Sequence, residues 1–444
     1  DYKAVSDYFT LLYIPSPKTI YKDIKKLEPA NYLVFSKKSY EVKKFWSIED
    51  TLSGFSMPSG RTEKEYALEL QHLLNKSVER QLISDVPVGV FLSGGVDSSA
   101  IAALASKLSG KKLKTFSIGF EGGGYYTDPQ YGRIVSRKPD TAHNELIVRP
   151  LPKDSLLEIV ANLDEPFADS SCIPMSYLAK FTREQVKVSL SGTGGDDLFG
   201  GYRRYYSHGL ENIYGMFPKF VKDFFKNFIN FLPASRKSFI GEKLLLAKRF
   251  VNRNLKPGFE GYAELMYYFR GDSLKALLGE FGAESPYLEN CLKRFSDLRK
   301  PKKYIFTDFV SYLPEDLLVK EDRMTMGYGL ESRVPFLDND LLDFAIKLPL
   351  KLKIKGFCPK YILKKSLEPY LPKEIIYREK HGFAVPIGEW LRNELKDFAY
   401  ETLTATNSKS KNLFDRHFVK NLLDMHISGK HDYGQHIWEL LVFE

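Results

Sequence analysis

The stretch Phe91-Leu-Ser-Gly-Gly-Val-Asp-Ser-Ser99 decides the fold of this chain. An apolar run at 86–92 leads into it and another at 100–105 follows, which predicts a strand, a tight turn and a helix. Gly94 and Gly95 lack a Cβ, so the backbone of the turn can lie close to a ligand. The helix would direct free N–H groups and the positive end of its dipole into the turn, where phosphate or pyrophosphate binds well.

The polar residues of this turn indicate a metal as well as a phosphate. Ser93, Ser98 and Ser99 supply hydroxyl donors, whereas the carboxylate of Asp97 would repel phosphate oxygens. A divalent cation between carboxylate and phosphate removes the conflict, and Mg²⁺ prefers such ligands. An ordinary strand-to-helix turn with serine caps is the structural alternative, because short motifs also occur by chance.

Strands and helices alternate through the first half of the chain. Apolar spacing predicts strands at 87–92, 113–119, 144–149 and 186–190, and helices at 97–108, 128–137, 154–162 and 174–184. This alternation predicts an α/β fold whose parallel sheet is covered by helices on both faces. Ligands of such sheets bind at the carboxyl ends of the strands, where Ser93–Ser98 and the motif Ser191–Asp197 both fall.

The remaining segments show other patterns. Residues 1–47 are expected to form extended pieces joined by turns, and 62–82 a helix. After about residue 207 apolar residues recur at helical spacing almost to the end, which predicts a mainly helical region. Within it, Phe217–Leu232 carries a phenylalanine stripe, for which packing against the helical region is favoured over binding to a membrane surface.

Composition limits the classes of function. The net charge of +9 suits an anionic ligand such as ATP, but the lysine and arginine pairs are dispersed, so no nucleic-acid partner is expected. Cys172, Cys291 and Cys358 lie far apart without a C-x-x-C motif, which argues against a zinc site or redox pair and fits a reducing cytoplasm. No signal peptide and no apolar run of about 20 residues is visible, so no membrane span is expected.

A second glycine-rich motif, Ser-Gly-Thr-Gly-Gly-Asp-Asp at 191–197, also follows a predicted strand. A structural turn would explain its glycines. It would not explain the adjacent carboxylates of Asp196 and Asp197, which repel each other unless a cation or donor lies near.

Four blocks, in this order and spacing, resemble the synthetase domain of glutamine-dependent asparagine synthetases over about residues 61–440. The first block also resembles the pyrophosphate loop of ATP pyrophosphatases. The blocks are Phe91–Ser99, Ser189–Tyr205, Leu313–Met326 with Gly329–Asp338, and Arg378–Phe383 with Pro386 and Trp390. The resemblance implies a sheet of the ATP pyrophosphatase (adenine nucleotide alpha hydrolase-like) type, and four ordered motifs make chance similarity improbable.

The resemblance also implies three regions. Residues 1–47 are similar to the last part of the family's glutaminase domain, 61–206 to its nucleotide-binding region, and 207–444 to the helical part of its synthetase domain. The glutaminase nucleophile of the family is an N-terminal cysteine, whereas residue 1 here is Asp. The chain as given is therefore expected to use free ammonia, with glutamine as the source in the intact protein.

Site residues follow from the same resemblance. The residues implied for pyrophosphate and Mg²⁺ are Ser93, Gly94, Gly95, Asp97 and Ser98, with Asp196 as a second metal-binding carboxylate near the substrate. The residues implied for adenosine are Leu92, Ile118, Ser191 and Gly192. Lys380 matches the lysine that steadies charge on the α-phosphate, with a surface lysine as its alternative. Glu331 and Arg333 resemble residues that shape the substrate pocket, with a structural salt bridge as their alternative.

The second motif departs from the family pattern. The best-known asparagine synthetases carry a glutamate where this chain has Thr193, and that glutamate is thought to assist the intermediate and take a proton from ammonia. Asp197 replaces another glutamate and is one methylene shorter. A threonine hydroxyl is no base near neutral pH, so Asp196 or Asp197, directly or through water, is expected to take the proton if aspartate is the substrate.

The resemblance therefore implies a cytoplasmic, ATP- and Mg²⁺-dependent ligase that adenylates a carboxylate, by default aspartate, and transfers ammonia to the acyl-AMP, releasing pyrophosphate. Other family members act on other carboxylates, such as acids in polysaccharide or β-lactam synthesis, and Thr193 leaves that alternative open. A tRNA-modifying ATP pyrophosphatase and a non-catalytic partner with a decayed site are further alternatives. A homodimer is one expectation for its assembly.

Overall fold

The computed structural model describes residues 1–53, 60–121, 130–137, 141–149, 153–206, 214, 216–232, 241, 244, 247, 248, 250, 251, 258–378 and 385–444, with only the backbone described at 130, 131, 137 and 258. The amino-terminal segment contains helix α1 (Tyr2–Leu11), the antiparallel hairpin β1 (Asn31–Phe35) and β2 (Tyr40–Lys44), and helix α2 (Ile48–Ser53). The expectation of extended pieces over 1–47 was wrong for α1. The Asp1 side chain caps this helix by accepting from the N–H groups of Lys3 and Ala4.

A five-stranded parallel sheet positions the site. Its strands are β3 (Val88–Phe91), β4 (Lys114–Phe120), β5 (Ala142–Val148), β6 (Val188–Leu190) and β7 (Glu331–Arg333). The order across the sheet is β5-β4-β3-β6-β7, and every neighbouring pair is parallel. The predicted α/β class with a parallel sheet is thus confirmed. The fifth strand, which the sequence pattern did not predict, comes from the mainly helical region.

Helices connect the first four strands, as predicted. Between the strands lie α4 (Val96–Ser109), α5 (Gln130–Arg137), α6 (Lys153–Ala161) and α7 (Cys172–Arg183), whereas α3 (Glu63–Leu82) precedes β3, and α8 (Gly195–Phe199) and α9 (Arg203–Tyr206) follow β6. The four helices and four strands predicted for 87–190 are confirmed, with boundaries within two residues. Helix α3 starts in a capping box, because Thr62 and Glu65 each bind the other's backbone N–H.

The rest of the chain is mainly helical, as predicted. Its helices are α10 (Lys219–Phe231), α11 (Gly258–Met266), α12 (Gly271–Leu278), α13 (Tyr287–Lys293), α14 (Lys302–Val310), α15 (Leu318–Met326), α16 (Asn339–Lys347), α17 (Leu350–Lys353), α18 (Tyr361–Leu367), α19 (Lys373–Ile376), α20 (Ile387–Trp390), α21 (Lys396–Thr404), α22 (Arg416–Ile427) and α23 (Gly434–Phe443). A π-helical turn (Leu313–Leu317) leads into α15, and a short hairpin, β8 (Ile354–Lys355) and β9 (Cys358–Pro359), leads into α18.

Two hydrophobic cores hold these elements together. One core joins α1 to the last helix, with Tyr8 and Phe9 in the same cluster as Trp438. The other joins α3, α4 and β3 to α16 and α18, so residues far apart in sequence, such as Leu70 and Ile362, share one cluster. This second core fixes the start of α18 beside the loop that follows β3.

Helix α10 corrects one expectation. Its phenylalanines were expected to pack against the helical region, but within the described residues no side chain of this helix is buried. Phe220, Phe224 and Phe231 are 74%, 67% and 87% exposed. None of the described helices combines the length and apolar character that crossing a bilayer requires.

Candidate active site

A cleft of about 1000 Å³ opens at the carboxyl ends of β3 and β6. Ten of the predicted site residues line it, namely Leu92, Ser93, Gly95, Asp97, Ser98, Ile118, Ser191, Gly192, Thr193 and Asp196. Strand-end loops therefore meet where the parallel sheet predicted a ligand site. What each of these residues does toward a ligand remains a proposal.

The side chain of Ser98 makes hydrogen bonds within the loop that follows β3. The N–H of Ser93 donates to Oγ of Ser98 at 3.2 Å, and the same hydroxyl donates to the carbonyl of Gly95 at 3.2 Å. Gly94 has a φ of +70°, in the left-handed region that favours glycine. Gly95, the residue before α4, gives the helix no side-chain cap, so the helix N-terminus faces the cleft as an anion site would.

The loop after β6 packs directly on the first loop. A Cβ on Gly192 would lie 2.7 Å from the backbone nitrogen of Ser98, and one on Gly195 would lie 2.7 Å from Cγ of Asp97. Glycine is therefore required at these positions for contact between the two loops. This contact brings the acidic residues of the two motifs together.

Lys360 joins the two motifs. Its ammonium lies 2.6 Å from Oδ1 of Asp196 and also binds Oδ2 of Asp97. Burial would lower the pKa of Lys360, but the carboxylates of Asp196 and Asp97 outweigh it, so the pKa is raised and the lysine is charged. A donor near Asp196 was expected from the adjacent acidic pair, although nothing in the sequence singled out Lys360.

The donor set around Asp97 and Asp196 fits Mg²⁺. Within the described residues no three acidic, histidine or cysteine side chains cluster as a complete metal site. Mg²⁺, however, is commonly bound by one or two carboxylates together with substrate phosphates, so two carboxylates beside a loop that is predicted to bind phosphate would suffice. Lys360 shares those carboxylates in this structure.

Glu321 is a second residue that sequence reasoning missed. It lies on α15, is only 3% exposed and lines the cleft. Its Oε2 accepts a hydrogen bond from Oγ1 of Thr193 at 2.5 Å, and its Oε1 accepts one from Oγ of Ser332. The hydroxyl of Ser191 lies 3.0 Å from that of Thr193, so the second loop and Glu321 form one hydrogen-bonded group.

An ion pair lies deeper in the cleft. Nζ of Lys320 is 2.6 Å from Oδ2 of Asp169, with Asp316 at 3.9 Å. Burial would raise the pKa of Asp169, but the ammonium of Lys320 outweighs it and lowers the pKa to about 2. Burial and the neighbouring Asp169 raise the pKa of Asp316. The ammonium of Lys320 is therefore the counter-charge of Asp169 and Asp316.

Two residues that were predicted to shape the substrate pocket are not among those that line the cleft. Glu331 and Arg333 lie on β7, where Nε of Arg333 is 2.7 Å from Oε1 of Glu331. The Arg333 guanidinium also donates to the carbonyls of Gln81 and Ile83 at 2.7 and 2.8 Å. These contacts form the salt bridge that was the structural alternative, and a part for Glu331 and Arg333 in the substrate pocket stays a prediction.

The fourth sequence block is described only in part. Lys380 lies outside the described residues. Arg378, which does line the cleft, donates from Nη1 to the carbonyl of Gly94 at 2.9 Å. The fourth block therefore contacts the loop that follows β3. Its place within the fourth block is the one sequence feature that could have indicated Arg378.

Comparison with known proteins identifies the family. A family model described as asparagine synthase matches residues 69–444. The chain belongs to the asparagine synthase family. The glutamine-hydrolysing asparagine synthetase 1 of Bacillus subtilis is 30% identical over 451 residues, covering 100% of this chain and 68% of the relative. A glutamine-hydrolysing asparagine synthetase of Mycobacterium tuberculosis, named as putative, is 31% identical over 458 residues, covering 100% and 67%.

Membership of the asparagine synthase family makes the chain a ligase that forms amides at the expense of ATP. Among solved structures, an NMN synthetase from Francisella tularensis matches 32% of this chain and 59% of its own, with 16% identity and a TM-score of 0.21. That likeness is too weak to bear on the fold. The family assignment therefore comes from sequence.

Proposed function

We propose that this asparagine synthase family member converts aspartate to asparagine through an aspartyl-AMP intermediate. The observation that carries the proposal is the meeting of two glycine loops at Lys360, which places Asp97, Asp196 and an open helix N-terminus around one cleft. A site with both a phosphate cradle and paired carboxylates suits transfer of a nucleotide, because it can hold pyrophosphate and metal together.

In the first step, a carboxylate oxygen of the acceptor attacks the α-phosphorus of ATP, and pyrophosphate leaves. The N–H groups at the start of α4 and the hydroxyls of Ser93 and Ser98 would bind the pyrophosphate. Leu92, Ile118, Ser191 and Gly192 would contact adenosine. Holding the two reactants in line supplies proximity.

Positive charge offsets the charge that develops on the phosphates. Lys360 is buried and charged at the loop junction, which suits that role without further reorganisation. By the family resemblance, Lys380 would act at the α-phosphate. Asp97 and Asp196 would hold Mg²⁺, which neutralises phosphate oxygens when bound.

In the second step, ammonia attacks the acyl carbon and AMP leaves. Glutamine is the proposed source of ammonia in the intact protein, and residues 1–47 are proposed to belong to a glutaminase domain. We also propose a nucleotide-binding region at 61–206 and a helical part of the synthetase domain at 207–444. A cytoplasmic location and a homodimer are proposed as well.

An amidotransferase that acts on a different carboxylate is the second candidate. The observation that favours it is Thr193, whose hydroxyl occupies the cleft where the resemblance places a glutamate. A smaller side chain there leaves room for a larger acid. The intact loop at 93–98 argues against a decayed, non-catalytic site.

Exchange of labelled pyrophosphate into ATP tests the proposal. With Mg²⁺ and aspartate, the protein should catalyse exchange, and Asp97→Asn should abolish it. Aspartate, glutamate and a panel of sugar acids should be compared, because the acid that supports exchange identifies the acceptor. Exchange with another acid only would select the second candidate, and no exchange with any acid would contradict adenylation.

A further inference from the structure

We infer that Glu321 is the base that takes the proton from ammonia in this protein, so that α15 supplies the carboxylate missing at residue 193. The inference rests on the proposed function, because it concerns the second half of that reaction. The carboxylate of Glu321 lines the cleft and lies one hydrogen bond, 2.5 Å, from the Thr193 hydroxyl.

The other carboxylates near the second motif are committed to different contacts. Asp196 binds the ammonium of Lys360 at 2.6 Å. Asp197, only 1% exposed, accepts a hydrogen bond from the hydroxyl of Tyr202 at 3.2 Å. Glu321 is therefore the carboxylate that the structure places directly beside residue 193.

The surroundings of Glu321 suit a proton acceptor. Within the described part of the chain no lysine or arginine forms an ion pair with it, and the adjacent Lys320 is bound to Asp169. Hydroxyls of Thr193 and Ser332 orient the two oxygens instead. Hydroxyl donors fix a carboxylate in place without adding a positive charge beside the nitrogen that must lose a proton.

The step balances in atoms and electrons. The lone pair of ammonia forms the C–N bond at the acyl carbon, and the carbonyl π electrons move to oxygen. Glu321 takes one proton from the nitrogen. The carbonyl then re-forms as the C–O bond to the phosphate breaks, AMP leaves with that electron pair, and Glu321 releases its proton to solvent.

Glu321→Gln separates this role from binding. Pyrophosphate exchange and the KM for the acceptor should stay within about twofold of the wild type, whereas amide formation from ammonia should fall by roughly 100-fold or more, the range of general base catalysis. Asp322→Asn, at the exposed next residue, is the matched control and should change neither rate.

Hydroxylamine as the nucleophile distinguishes a general base from a residue that has only a structural role. Its nitrogen is more acidic than that of ammonia once attached to the acyl carbon, so its proton reaches water without a strong base. The defect of Glu321→Gln should therefore be much smaller in hydroxamate formation than in amide formation. An equal defect with both nucleophiles would overturn the inference.

A swap variant keeps the inference testable if Glu321→Gln folds poorly. Thr193→Glu combined with Glu321→Gln returns a carboxylate to residue 193 and should recover amide formation at least tenfold over Glu321→Gln, or over Glu321→Ala if that variant alone folds. Failure of the well-folded swap variant to recover amide formation would contradict the inference. Two results with Glu321→Gln would also contradict it: unchanged amide formation, or a loss of pyrophosphate exchange that parallels the loss of amide formation and comes with a raised KM for the acceptor. Absence of exchange in the wild type would instead overturn the proposed function itself.

Discussion

The ammonium of Lys360 lies 2.6 Å from Oδ1 of Asp196, at the junction of two loops that follow neighbouring strands. The same ammonium binds Asp97 of the other loop. One buried cation therefore ties together the two carboxylates that would repel each other and any phosphate nearby. The geometry of the cleft depends on this lysine as much as on the glycines.

Replacing Lys360 by glutamine should both destabilise the protein and abolish pyrophosphate exchange. Removing one partner of a buried ion pair leaves uncompensated charge and costs about 3–5 kcal/mol. Urea unfolding of Lys360→Gln should show a loss of that size. Lys365 forms an ion pair with Glu368 in which both side chains are about one-third exposed. Lys365→Gln is therefore the control and should change the free energy of unfolding by less than about 0.5 kcal/mol. Equal stability of the two variants would contradict the role of Lys360.

Gly192→Ala should separate the two loops. The added Cβ would lie 2.7 Å from the backbone nitrogen of Ser98, and backbone cannot move aside like a flexible side chain. We expect a loss of roughly 1–3 kcal/mol in unfolding free energy and weaker ATP binding by calorimetry. Gly132→Ala on α5, whose Cβ would meet only contacts of 3.4 Å, is the matched control. Normal ATP affinity in Gly192→Ala would show that the loops do not need this contact.

Glu439→Gln should make the protein more stable at pH 8 than the wild type. Burial raises the pKa of Glu439 well above its ordinary value. Above about pH 4.3 the unfolded chain loses this proton while the folded chain keeps it. Rising pH therefore favours unfolding of the wild type until the raised pKa is reached.

Urea unfolding at pH 5 and pH 8 measures this effect. The stability advantage of Glu439→Gln should grow as the pH rises between these values. Glu401→Gln, at an exposed position on α21, should show no such trend. An advantage that is the same at both pH values would mean that Glu439 is ionised in the folded protein.

The sequence predicted the elements whose signal is local. Strands β3 to β6 follow apolar runs, and the strand-end rule placed Asp97 and Asp196 at one edge of the sheet. Strand β7 has the polar sequence Glu331-Ser-Arg333, so it carries no apolar pattern, and among the described strands it lies at the edge of the sheet beside β6. Its existence depends on tertiary packing.

The contacts that complete the site were beyond local patterns. Lys360 is separated from Asp97 by 263 positions and lies in a lysine-rich stretch, where nothing marks one lysine as buried. Glu321 lies within the third block, but its contact with Thr193 spans 128 positions. Only the fold brings these residues of two separate motifs into contact.

The fate of oxygen from the acceptor carboxylate tests the acyl-AMP intermediate most directly. With aspartate labelled with ¹⁸O in its side-chain carboxylate, ATP, Mg²⁺ and ammonia, one labelled oxygen should appear in the phosphate of AMP, because that oxygen bridges the acyl carbon and the α-phosphorus. Label in inorganic phosphate with formation of ADP, or AMP without label, would contradict the acyl-AMP intermediate.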